Sequence, residues 1–142
     1  FIQRITQKND YPYVVMGDFN ATLKSNAMTR LVDDLKLLDP FSIKNPNSSG
    51  YTWDPRRNNN TAFDGSAFWA DGKTPRDPLK RLTAEFDAST PRRIDFIFLS
   101  KHFSPDMIQR SDLVFTEPAD ELFVSDHFGV QVVLNELPLP KK

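Results

Sequence analysis

The chain has 142 residues, 39% of them hydrophobic and 26% charged, an ordinary balance for one globular domain or a large piece of one. It has no cysteine, which excludes disulfides, thiolate catalysis and cysteine-ligated metal, and no apolar run approaches the roughly 20 residues needed to cross a bilayer. Eighteen basic and 19 acidic residues leave a net charge of -1, which weighs against nucleic-acid binding driven mainly by counterion release.

Residues 1–9 read as the last turns of a helix, with Ile2 and Ile5 on one side. The opening has no signal-peptide pattern and no starting Met, so it reads as cut from something longer. "YPYVVMGD" follows, where Pro12 bars a helix start and the short apolar run predicts a buried strand ending at Asp18 and Asn20. In "SNAMTRLVDDLKLLDPF", Met28, Leu31, Val32, Leu35 and Leu38 recur at helical spacing. Ser25 or Asn26 can cap that helix, and Pro40 is expected to end it. Residues 44–92 are rich in Pro, Asn, Asp, Gly, Ser and Arg and read mostly as loop, with short strands near "GYTW" and "AFW". A loop that long in a compact domain is functional or mobile. "RRIDFIFLS" is a strong strand and "MIQRSDLVFT" a weaker one; "PADELFVSD" reads as loop and "HFGVQVVLNEL" as a final strand. Strands outnumber helices, which points to a layered α/β sheet.

Three polar groups sit at the ends of these strands or within them. Asp18 and Asn20 close the first, Asp95 falls inside "RIDFIFL" on the face of Ile97 and Leu99, and Asp126 and His127 precede the last. A carboxylate in an apolar strand is costly unless paired or metal-bound. Three such groups imply that the strands bring them together. The chemistry they suit is phosphate-ester hydrolysis. Carboxylate oxygens are hard ligands for Mg²⁺, an Asp can orient or deprotonate water, and an Asn can donate to a phosphate without adding charge. His127 can carry a proton or act as a cationic phosphate contact, with Asp95 the natural partner for its other ring nitrogen.

"GDFN", "RIDFIFLS" and "SDHFGV", in that order, resemble the endonuclease/exonuclease/phosphatase superfamily, which includes DNase I-like nucleases, inositol-polyphosphate 5-phosphatases and neutral sphingomyelinases. The resemblance implies part of a four-layer α/β sandwich: its C-terminal half, with mostly antiparallel strands and flanking helices. Residues 1–142 would be the C-terminal portion of one domain, with 44–92 as its substrate-side segment. It also implies a divalent-metal phosphodiesterase or phosphatase. Asp18 would activate water, Asn20 would bind the scissile phosphate, Asp95 would pair with the catalytic His127, and Asp126 would lie at an Mg²⁺ (or Mn²⁺) site. A metal-ligating Glu belongs to the family's N-terminal half, so the fragment alone is expected to be inactive.

"SGYTWDPRRNNN" is similar to a "TWD…N" segment of sphingomyelinase-like phosphodiesterases. Trp53, Asp54 and Asn58 are therefore substrate-side candidates, against a plainer reading of a Trp at the core edge and a solvated Asn-rich turn. Arg56, Arg57, Arg76, Lys80, Arg81 and Arg92 read mostly as solvated surface, and Arg93 is kept as a substrate contact. His102, lacking a carboxylate in its motif, reads as surface. A small-molecule or lipid-head-group phosphoester is the favoured substrate. A nuclease of the same superfamily and a non-catalytic phosphate-binding scaffold are the alternatives. The compartment, cytoplasmic or secreted, stays open.

Overall fold

The computed structural model describes residues 11–61 and 90–138. The helix expected over residues 1–9 and the strand near "AFW" lie outside those residues, as do Arg76, Lys80 and Arg81.

Strand β1 (Val14–Asp18) pairs antiparallel with β2 (Asp95–Leu99), in a register that runs from Val14 opposite Leu99 to Asp18 opposite Asp95. The period of two sends Phe96 and Phe98 to one side of β2, where they are 1% and 0% exposed. They stack at 5.1 Å, and Phe19 meets both edge-on. Helix α1 (Asn26–Leu35) closes this layer with Met28 and Leu35, and Leu37 joins the same core. Burial of each such side chain is worth about 1.5–3 kcal/mol. The run forms a strand but not the buried one expected: the side of β1 away from this layer is open, with Val14 45% and Met16 71% exposed.

Ser25 caps α1, its hydroxyl accepting from the Met28 amide at 3.3 Å. The helix stops earlier than its apolar spacing implies. Lys36 turns left-handed at φ 50°, and Leu37 donates back to the Val32 carbonyl at 3.0 Å. Leu38 then bridges to Leu99 as an extended residue. Pro40 does not end the helix. It begins a second, α2 (Pro40–Lys44), in the first-turn position where the missing N–H is no loss.

The second sheet pairs β3 (Ile108–Val114) with β4 (Gly129–Leu134), antiparallel, packed on a cluster of Leu99, Phe103 and Ile108. A Cβ at Gly129 would come within 2.8 Å of Val114 Cγ2, so a larger residue in this pair would displace the Val114 side chain. Between the sheets runs the segment 51–61. Only an isolated bridge forms there, with Trp53 exchanging amide bonds with Arg92 at 2.9 and 2.8 Å. The observed architecture is mixed α/β, with antiparallel strand pairs and few helices among the described residues.

Candidate active site

Asp18 and Asp95 are directly opposite across the β1–β2 ladder, so both carboxylates leave the same face. Gly17 allows the approach to Asp18: its φ of 147° is one that side-chain-bearing residues rarely adopt, although nothing crowds its Cβ position. After Asp18 the chain turns through Asn20, left-handed at φ 49°. The Asp18 carboxylate accepts from the Asn20 amide at 2.7 Å and from its side-chain Nδ2 at 3.2 Å. The motif is thus a self-bonded turn that fixes one carboxylate at the strand end.

His127 completes the group. Its Nδ1 lies 2.8 Å from Asp95 Oδ2. A carboxylate only accepts, so Nδ1 carries the proton and Nε2 is the ring atom that titrates. The ring is about one-fifth exposed, as is Asp95. The hydrogen bond to Asp95 raises the His127 pKa above its ordinary value. Partial burial opposes this, and the charges of Asp95, Asp126 and Asp18 add to it. Two like charges directly opposite on a ladder are destabilising by themselves. A protonated His127 relieves them, and so would a cation.

One ligand atom each from Asp18, Asp95 and His127 lies within 4.8 Å of the others. The two carboxylates are hard oxygen donors of the kind a divalent cation takes, while the imidazole is already engaged by Asp95 through Nδ1. The group opens into a pocket of about 340 Å³, whose remaining wall includes Met16, Ile97, Phe115, Val124 and Val130.

Other residues expected at the site are placed differently. Asp126 precedes His127 but stands outside the group of three; its Oδ1 accepts from the Ser125 hydroxyl at 3.2 Å. Trp53 is buried and meets the His127 ring edge-on, 5.2 Å between centroids. Its indole nitrogen has no partner among the described residues. Asp54 is buried, with Oδ1 accepting from the Arg56 amide at 3.1 Å to shape a turn. Asn58, also buried, donates from Nδ2 to the Ser125 carbonyl at 2.9 Å and so supports the loop carrying His127. Arg93 is not brought to the group. Its guanidinium grips Asp39 with both terminal nitrogens, between the rings of Phe41 and Phe96. His102 is half-buried rather than on the open surface, its Nδ1 3.1 Å from Ser100 Oγ.

Two residues at the site escaped sequence reasoning. Ser125 Oγ accepts from the His127 amide at 3.1 Å, a hydroxyl-to-i+2 turn that "SDH" could have signalled. Thr52 is fully buried beneath Asp95, and nothing in "GYTWD" marks it as more than a strand residue.

Residues 1–127 match the family described as the Endonuclease/Exonuclease/phosphatase family. Among solved structures, an endonuclease/exonuclease/phosphatase family protein from Leptotrichia buccalis C-1013-b aligns with a TM-score of 0.54 at 21% identity. The alignment covers 95% of this chain and 40% of that one. At that identity the likeness speaks for the fold. No curated protein matches the chain.

Proposed function

We propose that this chain, which belongs to the endonuclease/exonuclease/phosphatase family, carries the Asp–His catalytic machinery of a divalent-metal-dependent phosphoester hydrolase. The observation that carries the reading is the 2.8 Å contact between His127 Nδ1 and Asp95, beside an opposed Asp18 whose carboxylate is fixed by Asn20.

The division of labour follows from the donor inventory. Asp95 accepts from Nδ1 and fixes the ring, which leaves Nε2 to hold or release a proton at the phosphate. Asp18 orients water or takes its proton. Asn20 donates to the scissile phosphate without adding negative charge. Bound Mg²⁺ or Mn²⁺ would supply the positive charge that offsets the phosphate's, held by Asp18 and Asp95 with Asp126 nearby.

The chain is the C-terminal portion of one domain in this proposal. It spans 40% of the solved relative, and apolar side chains that a complete core would cover are open here, among them Met16, Phe115 and Val124 at 71%, 65% and 72% exposure. Activity therefore belongs to the full-length protein, and this chain by itself is expected to be inactive. Among the described residues no helix is long and apolar enough to cross a membrane.

A small-molecule or lipid-head-group phosphoester is favoured over nucleic acid, because the net charge of -1 offers little to a polyanion. Full-length protein with Mg²⁺, tested on sphingomyelin, phosphoinositides and plasmid DNA, decides between them. Hydrolysis of a lipid head group is expected. Nicking of DNA with neither lipid cleaved would replace this reading by the nuclease, and no Mg²⁺ or Mn²⁺ uptake by calorimetry would replace it by the non-catalytic scaffold.

A further inference from the structure

We propose that Thr52 is the positioning residue that sets the separation of Asp95 and His127, an inference that rests on the Asp–His pair being the working one.

Asp95 and His127 come from different parts of the fold. Asp95 opens β2 in the first sheet, and His127 precedes β4 in the second; no strand ladder joins β2 to β4. A hydrogen bond of 2.8 Å between their side chains therefore needs something to fix one backbone against the other. Thr52 does this from a fully buried position. Its Oγ1 accepts from the Ile94 amide and from the Asp95 amide, both at 3.1 Å. Its carbonyl accepts from the Phe128 amide at 2.7 Å, one residue after His127. Its own amide donates to the Arg92 carbonyl at 3.0 Å. One residue thus bonds to the backbone on both sides of the pair.

The residue type fits the task. A hydroxyl oxygen has two lone pairs, so a single atom can satisfy two neighbouring amides that no strand partner takes. The β-branch limits χ1, which holds that oxygen in place. Residues following Thr52 brace the histidine side: Trp53 packs on the ring, Asn58 bonds the Ser125 carbonyl, and Asn60 Nδ2 donates to the Phe123 carbonyl at 2.8 Å. These hold the loop, whereas the Thr52 side chain holds the Asp95 end. Thr52 does not line the pocket, and its hydroxyl bonds the Asp95 backbone, so its effect on turnover passes through Asp95.

The test compares Thr52→Val and Thr52→Ser in the full-length protein. Val keeps the shape and removes the acceptor; Ser keeps the acceptor and removes the methyl. The first readout is the downfield proton resonance of an imidazole Nδ1–H bonded to a carboxylate, assigned by its loss in His127→Gln. The second is steady-state hydrolysis of a simple phosphodiester with Mg²⁺. T52V is expected to lose or broaden the resonance and to lower kcat roughly 10- to 100-fold with little change in KM, as small misplacements of reacting groups do. T52S should keep the resonance and most of the turnover. If T52V does not fold by circular dichroism, T52A replaces it, since the smaller side chain leaves room for water on the two amides; the same losses are expected. An unchanged resonance and kcat in the variant lacking the hydroxyl, or equal losses in T52S, would overturn the role of Thr52 alone. Absence of the resonance from the parent would overturn the Asp–His pairing and this inference with it.

Discussion

Asp39→Ala removes the charge around which the fold has arranged Arg93. Side-chain exposures of 10% and 12% make this pair nearly buried. Arg93 Nη1 donates to Asp39 Oδ2 at 2.9 Å, its other terminal nitrogen takes the second oxygen, and the guanidinium lies 4.6 and 4.7 Å from the centroids of Phe41 and Phe96. Arginine keeps its charge at any accessible pH, so without Asp39 a cation is left in an apolar slot. Removing one partner of a buried pair costs roughly 3–5 kcal/mol, and the two rings and the Ser42 hydroxyl hold the expectation near about 3 kcal/mol. Asp39 also caps α2, and losing that cap adds about 1 kcal/mol. A total of about 4 kcal/mol corresponds to a fall in Tm of roughly 8–16 °C in a domain near this size. Thermal unfolding followed by circular dichroism measures it. The double variant D39A/R93M carries no stranded charge and should recover most of the loss. A Tm for D39A within about 3 °C of the parent, or a double variant no more stable than D39A, would show that losing Asp39 strands no charge at Arg93.

Asp95→Asn presents Nδ1 with an amide that can donate as well as accept, so the ring loses its fixed tautomer; turnover in the full-length protein should fall at least about 10²-fold with the melting curve nearly unchanged. Activity within a few-fold of the parent would remove Asp95 as the partner of His127. Gly50→Ala meets a left-handed φ of 61° and a Phe41 ring carbon 2.3 Å from the new Cβ. Strain and overpacking together predict roughly 2–5 kcal/mol of destabilisation by urea unfolding, and a loss below about 0.5 kcal/mol would show that Phe41 and the turn yield freely. The raised pKa of His127 gives stability a definite sign with pH. The contribution is fully present below the unfolded value of about 6.5 and is lost as pH rises through the higher folded value. The stability gap between parent and His127→Gln should therefore be widest in mildly acidic buffer and narrow in alkaline buffer. A gap that widens with pH would contradict the assignment.

The strand-adjacent positions of Asp18, Asp95 and His127 are legible in the sequence, because each lies where a short apolar run begins or ends. Pairing of β1 with β2 then sets the Asp18 and Asp95 carboxylates opposite each other, a juxtaposition the sequence alone does not fix. The helix start at Ser25 was legible from capping chemistry. Its end was not: the apolar spacing runs on to Leu38, but Leu38 is needed as a bridge to Leu99, and tertiary pairing overrides the helical period. Pro40 carries either meaning, stop or first-turn residue, and only the Asp39 cap decides. Arg93 looked like a phosphate contact because its partner, Asp39, is 54 residues away in sequence. Thr52 was invisible for a similar reason, since its bonds run to backbone amides far along the chain and leave no side-chain pattern to read.

The proposed function requires Asp18, Asp95 and His127 to act together as one phosphoester-cleaving centre. The most direct measurement is Mg²⁺-dependent hydrolysis of a simple phosphodiester by full-length protein, set beside His127→Ala and Asp18→Asn. Turnover by the parent is expected, with losses of roughly 10²- to 10⁴-fold in each variant and folding retained. Equal turnover in parent and variants would contradict it.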